Sequence, residues 1–350
     1  MSTYEAAGVS IEAGDRAVEL MKASIAKAQR AEVYGGIGGF AGLFDASAFK
    51  RFTKPLLATS TDGVGTKTEI ARLMGIYDTI GEDLVAMVVD DLVVCGAEPL
   101  FLTDYIAVGK VIPERIAEIV SGVARGCEKA RTALIGGETA EHPQLLKEDE
   151  FDIAGAATGV VEESKLLGSE KVFVGDVAIA VASSGVHANG FSLVRHIIKE
   201  SHLALDAFIP ELEQTLGEAL LTPTRIYASD MLDLITEVEI HAMAHITGGG
   251  LAANTQRVLP TDAGLVIDRS TWALPPIFDY LQQVGRTPLP DFERTFNCGV
   301  GMVLILPGRS VTPTLALLRG RGYQAWEIGE ISAAPAPLAG VKLEGAFQNR

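Results

Sequence analysis

The stretch LVAMVVDDLVVCGAEPLFL, residues 84–102, limits the possible folds more than any other part of the chain. It is apolar on nearly every side, yet it carries Asp90, Asp91 and Glu98. No uncharged apolar run in the chain reaches the roughly 20 residues that a bilayer-crossing helix needs, so this segment belongs inside a globular core. It runs on from Thr79 without a breaker and is stopped by Gly96 and Pro99, which predicts a buried helix. Buried carboxylates are costly unless paired or bound to a cation. Neighbours on a helix lie about 100° apart, so Asp90 and Asp91 face different ways. One is expected to line a site, with metal binding favoured over simple surface placement, and the other to be paired or solvated.

A core able to hold such a helix needs length, and 350 residues suffice for two domains. The polar stretch VEESKLLGSEKVFVGD (161–176) is the best boundary, which gives domains of 1–168 and 169–350 with residues 1–50 partly mobile. Before it lie a helix over 11–30, a buried strand PLLATSTD (55–62) ending in a turn, a strand LFLTDYIAVG, and a helix opened by Pro113, with ALIGGETAE and FDIAGAATGVVEE completing a βαββ-like half. In that last helix Ile116, Ile119, Val120 and Val123 form one apolar stripe. After the boundary, strands and helices alternate again, so both halves read as α+β or α/β. The net charge of −16 leaves no global field for nucleic acid or an anionic membrane. Cys95, Cys127 and Cys298 form no C-x-x-C pair. With no signal-like start, they predict a cytoplasmic protein.

Glycines cluster where strands hand over to helices. In STDGVGTKTE (60–69), Asp62 ends a strand, and Gly63, Gly65, Thr66 and Lys67 open a helix. Backbone N–H groups in such a turn can approach phosphate oxygens. Lys67 would pair with phosphate charge and Asp62 would hold Mg²⁺ against it. A tight turn with a capping Asp is the plain alternative. LIGGETAEHP (134–143), with Gly136, Gly137, Glu138 and Thr139, reads as a phosphate or metal loop after a strand, or as an ordinary turn. SSGVHANGFSLVR (183–195) puts His187 and Asn189 in a glycine-punctuated loop before a helix, and Gly248, Gly249 and Gly250 precede another. Both suit a phosphorylated ligand. Cys298 in FNCGVGM is expected to be a buried structural thiol, and His241 with His245 makes a weak case for zinc. GGIGGFAG (35–42) follows no strand, which rules out a dinucleotide-binding reading and predicts a mobile loop.

Taken in order, YEAAGVSIEAGD, GGIGGFAG, STDGVGTK, DTIGEDLVAM, DDLVVCGAEPLF, GGETAE, SSGVHANGFSLVR, LTPTRIY, HITGGG and RTFNCGVGM resemble the phosphoribosylformylglycinamidine cyclo-ligases of purine biosynthesis. The likeness spans nearly the whole chain. It implies a two-domain ligase whose N-terminal sheet pairs across a homodimer, followed by a C-terminal α/β domain. It also implies ring closure of formylglycinamidine ribonucleotide with ATP and Mg²⁺. Mapped onto this chain, the resemblance assigns Mg²⁺ to Asp62, Asp91 and Glu138, and ATP phosphates to Lys67 and the glycine turns. Lys22 and the loop bearing Gly35, Gly36, Gly38 and Gly39 would lie over the nucleotide. His187, Asn189 and Gly248–Gly250 would hold the substrate, with His187 the expected proton acceptor. Asp90 stands where the family often has Asn, and His142-Pro143-Gln144 where it usually has Met-Pro-Gly.

Overall fold

The computed structural model describes residues 8–35, 39–334 and 339–348. The chain divides into two compact units, one ending at Leu92 and resuming over Ala97–Ser164, the other formed by Val93–Gly96 and everything from Lys165 onward.

The first unit contains α1 (Ile11–Lys27), β1 (Val33–Tyr34), β2 (Leu43–Phe44), β3 (Pro55–Gly63), α2 (Lys67–Met74) and α3 (Ile80–Val93). β4 (Glu98–Val108), α4 (Pro113–Lys129), β5 (Ala133–Glu141) and β6 (Phe151–Glu162) complete it. The predicted central helix is α3, in which Ile80, Leu84, Val85, Ala86, Val88 and Val89 are wholly buried. At roughly 1.5–3 kcal/mol for each large apolar side chain, this helix anchors the unit. It reaches its depth because α3 and α4 cross at glycines. A β-carbon on Gly81 would stand 2.2 Å from the Val123 nitrogen, and one on Gly122 would stand 2.1 Å from the Asp78 carbonyl oxygen. The predicted α4 stripe is buried throughout, and Pro113 sits at the helix start.

The sheet runs β3-β6-β4-β5. β4 and β5 are parallel and joined by α4, while β6 pairs antiparallel with both β3 and β4. Two expectations change here. PLLATSTD is an edge strand whose residues alternate between exposed and half-buried, and Leu57 is 64% exposed on its more open face. GGETAE is no loop: it lies within β5, with Gly136, Gly137, Glu138 and Thr139 in register with Thr103, Asp104, Tyr105 and Ile106. α1 ends at Lys27, and Ala17 is its one buried residue. The glycine loop is bracketed by the short antiparallel pair β1–β2, and Gly36 and Gly38 lie outside the described residues.

The second unit holds β7 (Asp176–Ala182), α5 (Phe191–Glu200), β8 (Phe208–Ile209), β9 (Gln214–Thr215), α6 (Leu216–Leu221), α7 (Ala228–Glu237), β10 (Ala242–His245) and α8 (Gly250–Gln256). It continues through β11 (Ala263–Asp268), α9 (Pro276–Gly285), α10 (Leu289–Thr295), β12 (Val300–Pro307), α11 (Gly308–Gly320), β13 (Ala325–Ala333) and β14 (Gly340–Glu344). Its sheet order is β10-β12-β7-β13-β11-β14, antiparallel except for the β11–β14 pair. Every residue of β12 is buried, so both faces of the sheet are covered along that strand.

Candidate active site

Two groups of predicted residues stand on the two units. On the first unit, β3 delivers Asp62, whose Oδ1 accepts the Gly63 N–H at 2.7 Å. Gly65 takes φ +65, and Thr68 closes the turn by donating its hydroxyl to the Gly65 carbonyl at 2.9 Å. α2 then starts at Lys67, as the spacing predicts.

Lys67 does not extend into solvent. Its ammonium is wholly buried and meets the equally buried Asp83 of α3 at 2.8 Å. Burial pulls the Lys67 pKa down, and the charge and hydrogen bond of Asp83 oppose that pull. Asp83 has no feature in the sequence beyond its place in an apolar helix, and it was not singled out there.

Of the α3 acids, Asp90 is wholly buried and Asp91 is exposed. Glu138 is exposed on β5. Among the described residues no three His, Cys, Asp or Glu side chains form a group able to hold a metal ion, so Asp62, Asp91 and Glu138 are not gathered into a cage. Lys22 is exposed on α1 and bound to Glu19 at 2.5 Å, which holds the Glu19 carboxyl below its usual range. Gly35 and Gly39 border the glycine loop.

The strand β4 adds an acid that the sequence reading missed. Asp104 shares its sheet face with the buried Leu102, Ile106 and Val108. It is in register with Gly155 on one side and Gly137 on the other, and Gly155 is in turn in register with Asp62. Burial pushes the Asp104 carboxyl up to about 7. Burial also raises the thiol of Cys127 on α4, and the charge of Asp104 adds to that rise.

On the second unit, the loop after β7 carries His187 and Asn189. His187 is 1% exposed, takes φ +65, and its Nε2 accepts the Ser184 N–H at 3.2 Å. That bond assigns the ring proton to Nδ1 and makes Nε2 an acceptor within its own loop. The expected role of proton acceptor at an open site therefore has to contend with an Nε2 already engaged.

Asn189 and Gly248 are brought together: a β-carbon on Gly248 would lie 3.4 Å from Asn189 Oδ1. Gly250 must be glycine, since a β-carbon there would fall 1.7 Å from the Glu293 carbonyl oxygen. The triple-glycine turn is held by Asn254, whose Nδ2 donates towards the carbonyls of Thr247, Gly248 and Gly250 at 2.9–3.2 Å. Asn254 and Asn297 are the functional-loop residues that the sequence reading passed over. For Asn297 the available signal was an amide side chain two residues before Gly299, the composition of an Asx turn; Asn254, inside α8, carried no such signal. Cys298 is 2% exposed and its thiol is raised by burial, as a structural thiol should be. His241 bonds Asp176 at 2.7 Å through Nδ1.

These turns stand on the architecture of the AIR synthase-related proteins. The sequence model of the N-terminal domain of AIR synthase-related protein matches residues 44–161, and that of the C-terminal domain matches 174–340. Among solved structures, thiamine-monophosphate kinase from Stenotrophomonas maltophilia superposes with a TM-score of 0.68 at 18% identity, over 95% of this chain and 97% of that one. HypE from Escherichia coli superposes at 0.66 with 16% identity, over 95% of this chain and 94% of that one. At such identities the likeness is one of fold.

The chain belongs to the phosphoribosylformylglycinamidine cyclo-ligase family. The relative of that name from Geobacillus sp. (strain WCH70) is 50% identical over 329 residues, covering 94% of this chain and 95% of its own. The one from Desulfitobacterium hafniense (strain DSM 10664 / DCB-2) is 49% identical over 330 residues, covering 94% and 96%.

Proposed function

We propose that this protein closes the imidazole ring of 5-aminoimidazole ribonucleotide from formylglycinamidine ribonucleotide, using ATP and releasing ADP and phosphate. The observation that carries this reading is the identity of about half of all residues to cyclo-ligases along nearly the whole chain. In the reaction, the formamide oxygen attacks the γ-phosphorus and ADP departs. The amidine-side nitrogen then bonds to the activated carbon, the C–O bond breaks to release phosphate, and the nitrogen loses a proton. The formyl oxygen leaves in the phosphate.

Phosphoryl transfer is catalysed mainly by positioning and charge neutralisation. We assign the nucleotide phosphates to the Gly63–Lys67 turn and to Gly136, Gly137 and Thr139, with Lys22 and the loop from Gly35 to Gly42 over the nucleotide. Asp62, Asp91 and Glu138 offer the carboxylate oxygens that Mg²⁺ takes. An ion brought in with a nucleotide draws the rest of its shell from phosphates and water. Bound Mg²⁺ would neutralise phosphate charge. His187, Asn189 and Gly248–Gly250 are assigned to the substrate.

The test is product analysis. Incubation with formylglycinamidine ribonucleotide and ATP should yield the ring-closed amine, ADP and free phosphate in equal amounts. A phosphorylated acceptor in place of free phosphate would establish a kinase instead.

A homodimer formed through the first unit's sheet is part of the proposal. The exposed face of edge strand β3, with Leu57 on it, supports it. Leu57→Lys is expected to convert a dimer to a monomer in sedimentation, and an unchanged dimer would place the interface elsewhere. No described helix is long and apolar enough to cross a membrane, and we propose that the protein works in the cytoplasm.

A further inference from the structure

We infer that Asn297 is the positioning residue of the substrate loop, locking Ser183–Gly190 to the turn that precedes β12. The inference rests on the reading that His187 and Asn189 face the substrate. Asn297 is 3% exposed. Its Nδ2 donates to the carbonyls of Gly185 at 2.9 Å and Val186 at 3.3 Å. Its Oδ1 accepts the Gly299 N–H at 2.8 Å and lies 3.0 Å from the Ser183 hydroxyl. Both hydrogens and both lone pairs of the amide are thus engaged. The flipped amide would set its oxygen against two carbonyls and its NH₂ against an N–H, so one orientation is fixed. The single Ser183 proton is shared with the Gly185 carbonyl, also at 3.0 Å.

The segments that Asn297 joins would not hold their shape unaided. His187 at φ +65 and Cys298 at φ +50 occupy the left-handed region, which is unfavourable for a residue that bears a side chain. The turn's far side is pinned as well, where Trp272 Nε1 donates to the Cys298 carbonyl at 3.0 Å. Asn297 therefore connects two strained segments 112 residues apart in sequence. It touches no reacting atom. Its effect is to hold His187 and Asn189 in place before the substrate arrives, so that binding does not have to order the loop.

The experiment is steady-state kinetics of Asn297→Ala and Ser183→Ala, with the two substrates titrated separately. Orphaned buried polar groups are costly, so Asn297→Ala should raise KM for formylglycinamidine ribonucleotide about 10-fold or more. Ser183→Ala, which cuts one arm, should raise it about 3-fold. KM for ATP should stay at the wild-type value in both. Because the variants cut one network, the double variant should fall short of the product of the two effects. A split of this kind is not expected from general loosening. An unmoved amidine KM in folded Asn297→Ala, or both KM values rising together, would overturn the role. If Asn297→Ala does not fold, the same split in Ser183→Ala decides. Amidine-dependent ADP release by the wild-type enzyme is measured first. Its absence would overturn the functional reading and this role with it, whereas an active wild type with unmoved variants overturns only the role of Asn297.

Discussion

Replacing Lys67 by Met is expected to destabilise the first unit by about 3–5 kcal/mol, the usual cost of stranding a buried charge. The group that loses its countercharge is Asp83, wholly buried on α3 and 2.8 Å from the lysine ammonium. Adding Asp83→Leu removes that charge, and the double variant should recover most of the loss, since apolar pairs of similar volume often match or exceed buried ion pairs in stability. Turnover should not recover with it. The proposed contact of Lys67 with nucleotide phosphate needs the positive charge, which the double variant lacks. Chemical denaturation and an ADP-release assay on the wild type and both variants check this. A double variant that regains both stability and turnover would reduce Lys67 to a structural residue. If Lys67→Met kept wild-type stability, the buried pair itself would be in question.

The lysine also marks the limit of what could be read from the sequence. Strand, turn and helix start were legible around STDGVGTK because glycine spacing and the apolar run leave few alternatives. The partner of Lys67 was not legible, since Asp83 is just one acid in the first turn of a helix until the fold brings α3 against α2. The α4 stripe was legible from its Pro113 start and helical period. ALIGGETAE was legible as a strand, but its GGETAE part also read as a loop because paired glycines normally interrupt a strand. Here β5 is the last strand of its sheet, beside β4, and Gly137 is needed: a β-carbon there would lie 1.7 Å from Asp104 Oδ1. The exposure of one face of β3 was not legible, because the apolar residues of PLLATSTD read as a buried strand and do not disclose how a sheet face is covered. Site turns rich in glycine stood out along the chain. The side chains that hold them, Asn254 and Asn297, did not, because their bonds depend on which turns meet in three dimensions.

Asp104 yields the second large effect, and its sign can be worked out. Its carboxyl sits on the apolar face of β4 with a pKa raised from 3.8 to about 7, burial being the first cause. The folded state therefore binds a proton that the unfolded chain has already released between these values. Stability contributed by protonated Asp104 is fully present below about pH 4 and is lost as pH rises through about 7. A shift of that size corresponds to about 4 kcal/mol at most. Asp104→Asn keeps the shape and cannot ionise. The variant should be the more stable protein at pH 8, by up to that amount, and its advantage should fade as pH falls towards 5. The Cys127 thiol, raised partly by the Asp104 charge, should at the same time become easier to ionise in the variant. Denaturant unfolding of both proteins across pH 5–8 measures the difference in slope. Parallel stability curves would mean that Asp104 is solvated in solution and that burial does not govern its carboxyl.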